Sequence, residues 1–223
     1  MAMELTPEAP RQWQAPRPKT LLFLLIGAMY VYVLVTNESF LISESDPEWT
    51  HIAPFRMILL PHGLVAALAL FLGPFQFSER LRRKYLTLHK TLGYFYITGC
   101  YLGAPVGVYI QWFEERMGAA RSFTMAAAAD AVIWIFATTM ALIFIRQRKV
   151  QQHRQWMTRS FACALIFLEV RAISVLFHVP EQFDETVVWC CVAAAFPIAD
   201  MVLQIEQLMQ NRPRTARAIK VEA

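Results

Sequence analysis

Two segments of the sequence each place a histidine where a cluster of positive charges gives way to an apolar run. The first, RRKYLTLHKTLGY, contains His89, and the second, RQRKVQQHRQWMTRS, contains His153. A neutral histidine binds iron through a ring nitrogen, and two of them on facing helices can clamp a haem. The alternative is that each histidine only extends towards lipid headgroups beside its basic neighbours.

The residues around both histidines suit a cofactor. Gly93 follows His89 by four residues, on the same helix face, and leaves clearance for a flat macrocycle. Met157 places a thioether at the matching position after His153. Cations close to the two histidines could pair with propionates or another anion. These cations are Arg83, Lys90, Arg154 and Arg159.

A third histidine, His62, lies inside an apolar run directly after Pro61. Ionisable groups within a membrane span are costly and usually functional, so His62 is a further candidate metal ligand. Two haems with two histidine ligands each would need four histidines, so a second haem would require His178 beside His62. A single haem b, a copper site and the absence of any cofactor all remain open.

Other ionisable residues lie deep in apolar segments. A charge at the bilayer centre costs roughly 2.5–3.5 kcal/mol, so buried charges must pair or face a wet cavity. We therefore predict an intramembrane ion pair between Arg171 and either Asp130 or Glu169. A structural clamp, a proton path and a ligand site are equally compatible with these residues.

The composition is that of an integral membrane protein. Of 223 residues, 57% are hydrophobic and 17% are charged, whereas a soluble domain has about a quarter charged residues. Six apolar segments are long enough to cross a bilayer, so we predict an all-α, polytopic transmembrane bundle spanning 20–207. The segments cover about residues 20–37, 56–76, 88–112, 122–146, 157–178 and 186–207. A polar tail, 1–19, precedes the bundle and a basic tail, 208–223, follows it.

Loop charges predict the orientation. Basic residues cluster before the first segment, after the second and the fourth, and in the C-terminal tail, whereas acidic residues follow the first and the fifth. The positive-inside rule then places both termini in the cytoplasm. The net charge of +4 reflects these loops, and no motif indicates nucleic-acid binding.

Small residues predict close helix packing in the third segment. Gly99, Gly103 and Gly107 recur every four residues, and this spacing lets neighbouring helices approach closely.

Two longer stretches, PHGLVAALALFLGPFQFSERLRRKYLTLHKTLGYFY and HRQWMTRSFACALIFLEVRAI, resemble the bacterial membrane family named domain of unknown function 2306. The resemblance covers about residues 56–175, and Lys90 stands where the family has Arg. It implies a multi-pass integral protein of a bacterial cytoplasmic membrane and assigns no activity. The matching positions are His62, Gly73, Pro74, Gln76, Phe77, Arg80, His89, Gly93, Tyr96, His153, Arg154, Trp156, Met157, Arg159 and Ser160.

Three functions fit these observations. The first is a b-type haem or other redox protein, an oxidoreductase in the membrane that exchanges electrons with a quinone or a redox partner. The second is a small transporter or proton-coupled carrier built on the deep charges. The third is a structural or assembly factor without a cofactor, and a homo-oligomer is compatible with all three.

The topology is directly testable with reporter fusions. Fusions after Ser43 and Gln182 should report the outer side, and fusions after Arg148 and Ala223 should report the cytoplasm, because basic loops stay inside. An odd number of crossings between the termini would contradict the six-segment assignment.

Overall fold

A computed structural model describes residues 18–37 and 43–210, and this part of the chain consists of helices joined by short loops. The predicted all-α helical bundle is therefore confirmed. In chain order the helices are α1 (Pro18–Asn37), α2 (Pro47–His51), α3 (Arg56–Gln76), α4 (Glu79–Lys84), α5 (Leu86–Arg116), α6 (Arg121–Arg146), α7 (Val150–Leu176) and α8 (Asp184–Gln210), with a 3-10 turn at Glu181–Phe183 before α8. The predicted tails before residue 18 and after residue 210 lie outside the described residues.

The six long helices correspond to the six predicted apolar segments, but α7 begins earlier than predicted. Its first two turns are polar, and glutamine and arginine favour a helix without being apolar. His153 therefore lies within α7, one turn after the helix begins.

Two short helices, α2 and α4, were not predicted, although their caps are visible in the sequence. Asp46 precedes Pro47 and accepts a hydrogen bond from the Glu48 N–H at 3.0 Å. Ser78 does the same for the Leu81 N–H at 3.3 Å. Both are ordinary N-cap residues, and proline is well suited to the first helical position.

Among the described residues, three helical segments have the length and hydropathy needed to cross a membrane: Arg56–Gln76, Arg121–Arg146 and Glu181–Met209. The apolar stretch of α1, Thr20–Val33, is shorter. Helices α5 and α7 have 31 and 27 residues, more than the roughly 20 that a bilayer requires. The buried polar side chains Gln76, Thr138 and Ser160 lie on α3, α6 and α7.

Helices α3, α5, α6 and α7 surround the interior of the bundle. Helix α5 packs against α3 and α6, while α7 packs against α6 and α8 and also touches α3 and α1. Since the chain reverses between α5 and α6 and again between α6 and α7, helices α5 and α7 run in the same direction. They stand opposite each other across the interior.

The glycines of α5 allow the close approach of α3, as their spacing predicts. A Cβ atom on Gly99 would lie 3.0 Å from the Val65 carbonyl oxygen and 3.3 Å from Ala69. A Cβ atom on Gly107 would lie 3.2 Å from Cε1 of His62. Any larger residue at these positions would push the two helices apart.

A closed circuit of hydrogen bonds joins α5, α6 and α7 at the centre of the bundle. The Thr138 hydroxyl donates to the Trp134 carbonyl at 2.8 Å, and the Trp134 indole N–H donates to the Tyr96 hydroxyl oxygen at 3.3 Å. Ser160 lies 2.7 Å from both the Tyr96 and the Thr138 hydroxyls. Because the Thr138 hydrogen is already used, Ser160 must donate to Thr138, and Tyr96 must donate to Ser160.

Every member of this circuit is satisfied, although Tyr96, Thr138 and Ser160 are all fully buried. Unpaired polar groups are expensive at such depth, and hydrogen bonds in a chain strengthen one another. Cys100 adds a contact of 3.2 Å between its sulfur and the Thr138 hydroxyl. The circuit therefore fixes the rotation of three helices about their own axes.

Ser160→Ala should lower the free energy of unfolding of the protein in detergent by about 1–2 kcal/mol. The substitution opens the circuit, so the buried hydroxyls of Tyr96 and Thr138 each lose one hydrogen-bond partner. Ser174→Ala is the matched control on the same helix, since that hydroxyl makes only a 3.4 Å contact with Asp184. The two variants can be compared by thermal denaturation. Equal losses would show that the circuit does not hold the bundle together.

Candidate cofactor site

A cavity of about 410 Å³ lies between the first turns of α5 and α7. The ends of α3, α6 and α8 complete its walls, so all the surrounding helices contribute. Ligand pockets in proteins are commonly 300–1,000 Å³ in volume, with mainly apolar walls and a few polar groups. Leu86, Ile97, Leu142 and Leu203 are among the apolar residues of this cavity, which is large enough for a small organic ligand.

The structure brings His89 and His153 into the wall of this one cavity. Tyr96 on α5 and Ser160 on α7 are hydrogen-bonded to each other. Each of them follows one of the histidines by seven residues: Tyr96 follows His89, and Ser160 follows His153. Seven residues are two helical turns, so each histidine shares a helix face with a member of that pair, about 10 Å away along its helix. The parallel helices α5 and α7 therefore direct both histidines towards the same space.

One backbone carbonyl fixes the proton position of His153. Nδ1 of its ring lies 2.9 Å from the carbonyl oxygen of Ala141 on α6. A carbonyl only accepts hydrogen bonds, so Nδ1 carries the hydrogen and Nε2 keeps a free lone pair. Metal-bound histidines generally have this arrangement, in which a hydrogen bond to one nitrogen orients the other towards the metal. His153 is thus held in a form that can bind a metal through Nε2.

Gln76, at the end of α3, occupies the space over Gly93. Its side chain is 9% exposed, and a Cβ atom on Gly93 would lie 3.5 Å from the amide. The amide nitrogen donates to the His89 backbone oxygen at 3.2 Å and to Nδ1 of His89 at 3.0 Å, while the amide oxygen accepts from the Gly93 N–H at 3.3 Å. The clearance at Gly93 therefore serves a glutamine, although we expected it to serve a macrocycle directly.

The predicted cations divide into two groups. Lys90 and Arg154 line the cavity together with Arg82, as does the thioether of Met157. Arg154 also contacts Glu206 on α8 at 3.4 Å. An anionic ligand would therefore find three cationic side chains around this cavity.

Arg83 and Arg159, which we also expected to face the ligand, are not in the cavity wall. The Arg159 guanidinium instead forms an ion pair with Asp200 at 2.7 Å and lies over the Trp156 ring at 4.8 Å. Its position six residues after His153 turns it away from the histidine face, towards α8. Arg159 thus links α7 to α8.

His62 lies apart from the other two candidate ligands. The His62 ring contacts Gly107 on α5. Gly93, in the cavity wall, lies fourteen residues earlier on the same helix. His62 and the cavity are therefore about 20 Å apart along α5. Nδ1 of His62 is buried and makes no hydrogen bond within the described residues. No group of three potential metal ligands exists in residues 18–37 and 43–210. The three histidines therefore do not form one metal site.

The structure does not form the ion pair that we expected for Arg171. Arg171 is exposed, with its guanidinium 5.3 Å from the centre of the Phe167 ring. In the described part of the chain, no ion pair joins it to Asp130 or Glu169. Residues two apart on a helix point to different faces. Because Glu169 and Arg171 are two residues apart, they cannot both face the interior of the bundle. Oδ1 of Asp130 is buried without a hydrogen-bond partner there.

Sequence reasoning gave no role to Gln76, Tyr96 or Ser160, which place the histidines. Each of the three matches the pattern of the family that the sequence resembles, and this match was the feature of the sequence that could have indicated their roles. Thr138 and Trp134 carried no signal, because their roles depend on contacts between helices.

Comparison with known proteins agrees with this architecture. No curated protein and no solved structure matches the chain. A family model described as Predicted membrane protein (DUF2306) matches residues 59–204, which include the histidine cavity and the hydrogen-bond circuit. The chain therefore belongs to this family of integral membrane proteins.

Proposed function

We propose that the protein binds a haem of b type in the cavity between α5 and α7, where His89 and His153 would hold the iron, and that the protein transfers electrons in the membrane. The observation that carries the proposal is the placement of two histidines on parallel, opposed helices in the wall of one cavity. When bound, such a group supplies a one-electron redox centre whose potential depends on its ligands and on their hydrogen bonds.

The residues of the cavity suit this group in three respects. Nε2 of His153 has a free lone pair, because Nδ1 is bonded to the Ala141 carbonyl. Apolar side chains form about half of the wall and could pack against a flat macrocycle. The cations Arg82, Lys90 and Arg154 can pair with propionates. The arrangement thus provides a metal-binding nitrogen, partly apolar walls and anion-binding side chains in one place.

The test is removal of the two histidines, singly and together. His89→Ala and His153→Ala should each abolish haem retention as completely as the double variant, because both ligands serve one group. Haem content is measured as the pyridine complex after purification in mild detergent. His51→Ala is the matched control, since His51 bonds to Glu114 at 3.1 Å, outside the cavity. Full retention in the double variant, or losses that merely add, would contradict the shared site.

A second function is favoured by a separate observation, the buried and unpartnered Oδ1 of Asp130 on α6. We propose as the alternative a small transporter that conducts protons, in which Asp130 and Glu169 accept and release the proton. Buried carboxyls in spans commonly serve proton relays.

In vesicles that contain a pH-sensitive dye, the wild-type protein would then collapse an imposed pH difference and Asp130→Asn would not. Asp200→Asn is the control, because Asp200 is held by Arg159. Collapse no faster than in empty vesicles rejects this alternative.

A further inference from the structure

The orientation of the Gln76 amide follows from its two fixed neighbours. The backbone oxygen of His89 can only accept a hydrogen bond, and the backbone N–H of Gly93 can only donate one. The amide nitrogen must therefore face His89 and the amide oxygen must face Gly93, at 3.2 and 3.3 Å. In this orientation the same nitrogen donates to Nδ1 of His89 at 3.0 Å.

This hydrogen bond gives the two cavity histidines opposite tautomers. Nδ1 of His89 accepts a hydrogen bond, so the neutral ring carries its hydrogen on Nε2. Nδ1 of His153 donates to the Ala141 carbonyl, so its ring has a lone pair on Nε2. One histidine is therefore ready to bind a metal through Nε2, whereas the other is not.

We propose that Gln76 is a positioning residue that controls whether His89 can act as a ligand. For Nε2 of His89 to bind a metal, the ring hydrogen must move from Nε2 to Nδ1, with no change in charge. The amide must then turn over so that its oxygen accepts the Nδ1–H, as outer hydrogen-bond partners of metal-bound histidines do. This turn breaks the bonds of the amide to the His89 oxygen and the Gly93 N–H. Metal binding by Nε2 of His89 is thus coupled to a turn of the Gln76 side-chain amide that exchanges its oxygen and nitrogen.

The coupling rests on the proposed haem site, but the tautomer of His89 does not. With ¹⁵N-labelled histidine, the ring shifts of cofactor-free protein in detergent should show His89 hydrogenated on Nε2. Gln76→Leu should abolish this preference, and Gln155→Leu, which alters another glutamine of the same cavity wall, should preserve it. An unchanged His89 tautomer in Gln76→Leu would overturn the proposal.

The cofactor-loaded protein gives the second readout. Gln76→Leu should weaken haem retention by about 10–100-fold, the usual effect of removing an outer hydrogen-bond partner. Gln76→Glu supplies a permanent acceptor for Nδ1–H, so it should restore retention and lower the midpoint potential. Equal retention and equal potentials in all three proteins would contradict the coupling. A wild-type protein that takes up no haem would overturn the proposed function, while the tautomer measurement would still decide the role of Gln76.

Discussion

The hydrogen-bond circuit of Trp134, Tyr96, Ser160 and Thr138 is the constraint on which the rest of the bundle depends. Each member donates one hydrogen to the next, and the last bond returns to the backbone of the first residue. Such a circuit closes only when α5, α6 and α7 are rotated so that these faces meet. Apolar packing alone tolerates small rotations of a helix in a membrane, because lipid is as apolar as the neighbouring side chains. A buried polar circuit does not tolerate them.

The rotation of α5 and α7 also determines which residues face the interior two helical turns before Tyr96 and Ser160. With Tyr96 and Ser160 bonded, the residues seven positions earlier on α5 and α7 also face the interior, and both are histidines. Small residues on α5 complete the arrangement, since Gly99 lets α3 approach and Gly93 admits the Gln76 amide. The fold thus links a rigid polar centre to a cavity whose polar groups are individually oriented. The same centre lies between this cavity and His62 along α5.

Much of the fold was predictable from the sequence, and the reason is physical. Long apolar segments have few alternatives to a spanning helix, because every backbone polar group must be satisfied within the segment. The common boundary of His89 and His153 was visible as well. The pairing of side chains between helices was not, because it depends on helix rotation to within a fraction of a turn. Arg171 illustrates this limit, since its sequence neighbourhood suggested an ion pair, whereas its guanidinium lies over the Phe167 ring. Gln76 illustrates the converse, because its role depends on the approach of α3 to α5.

The visible absorption spectrum of the full-length protein, purified in mild detergent after expression with an ample haem supply, tests the central claim most directly. Two histidine ligands on one haem should give a Soret band and sharp α and β bands that intensify on reduction. A colourless protein that contains no iron under the same conditions would contradict the account.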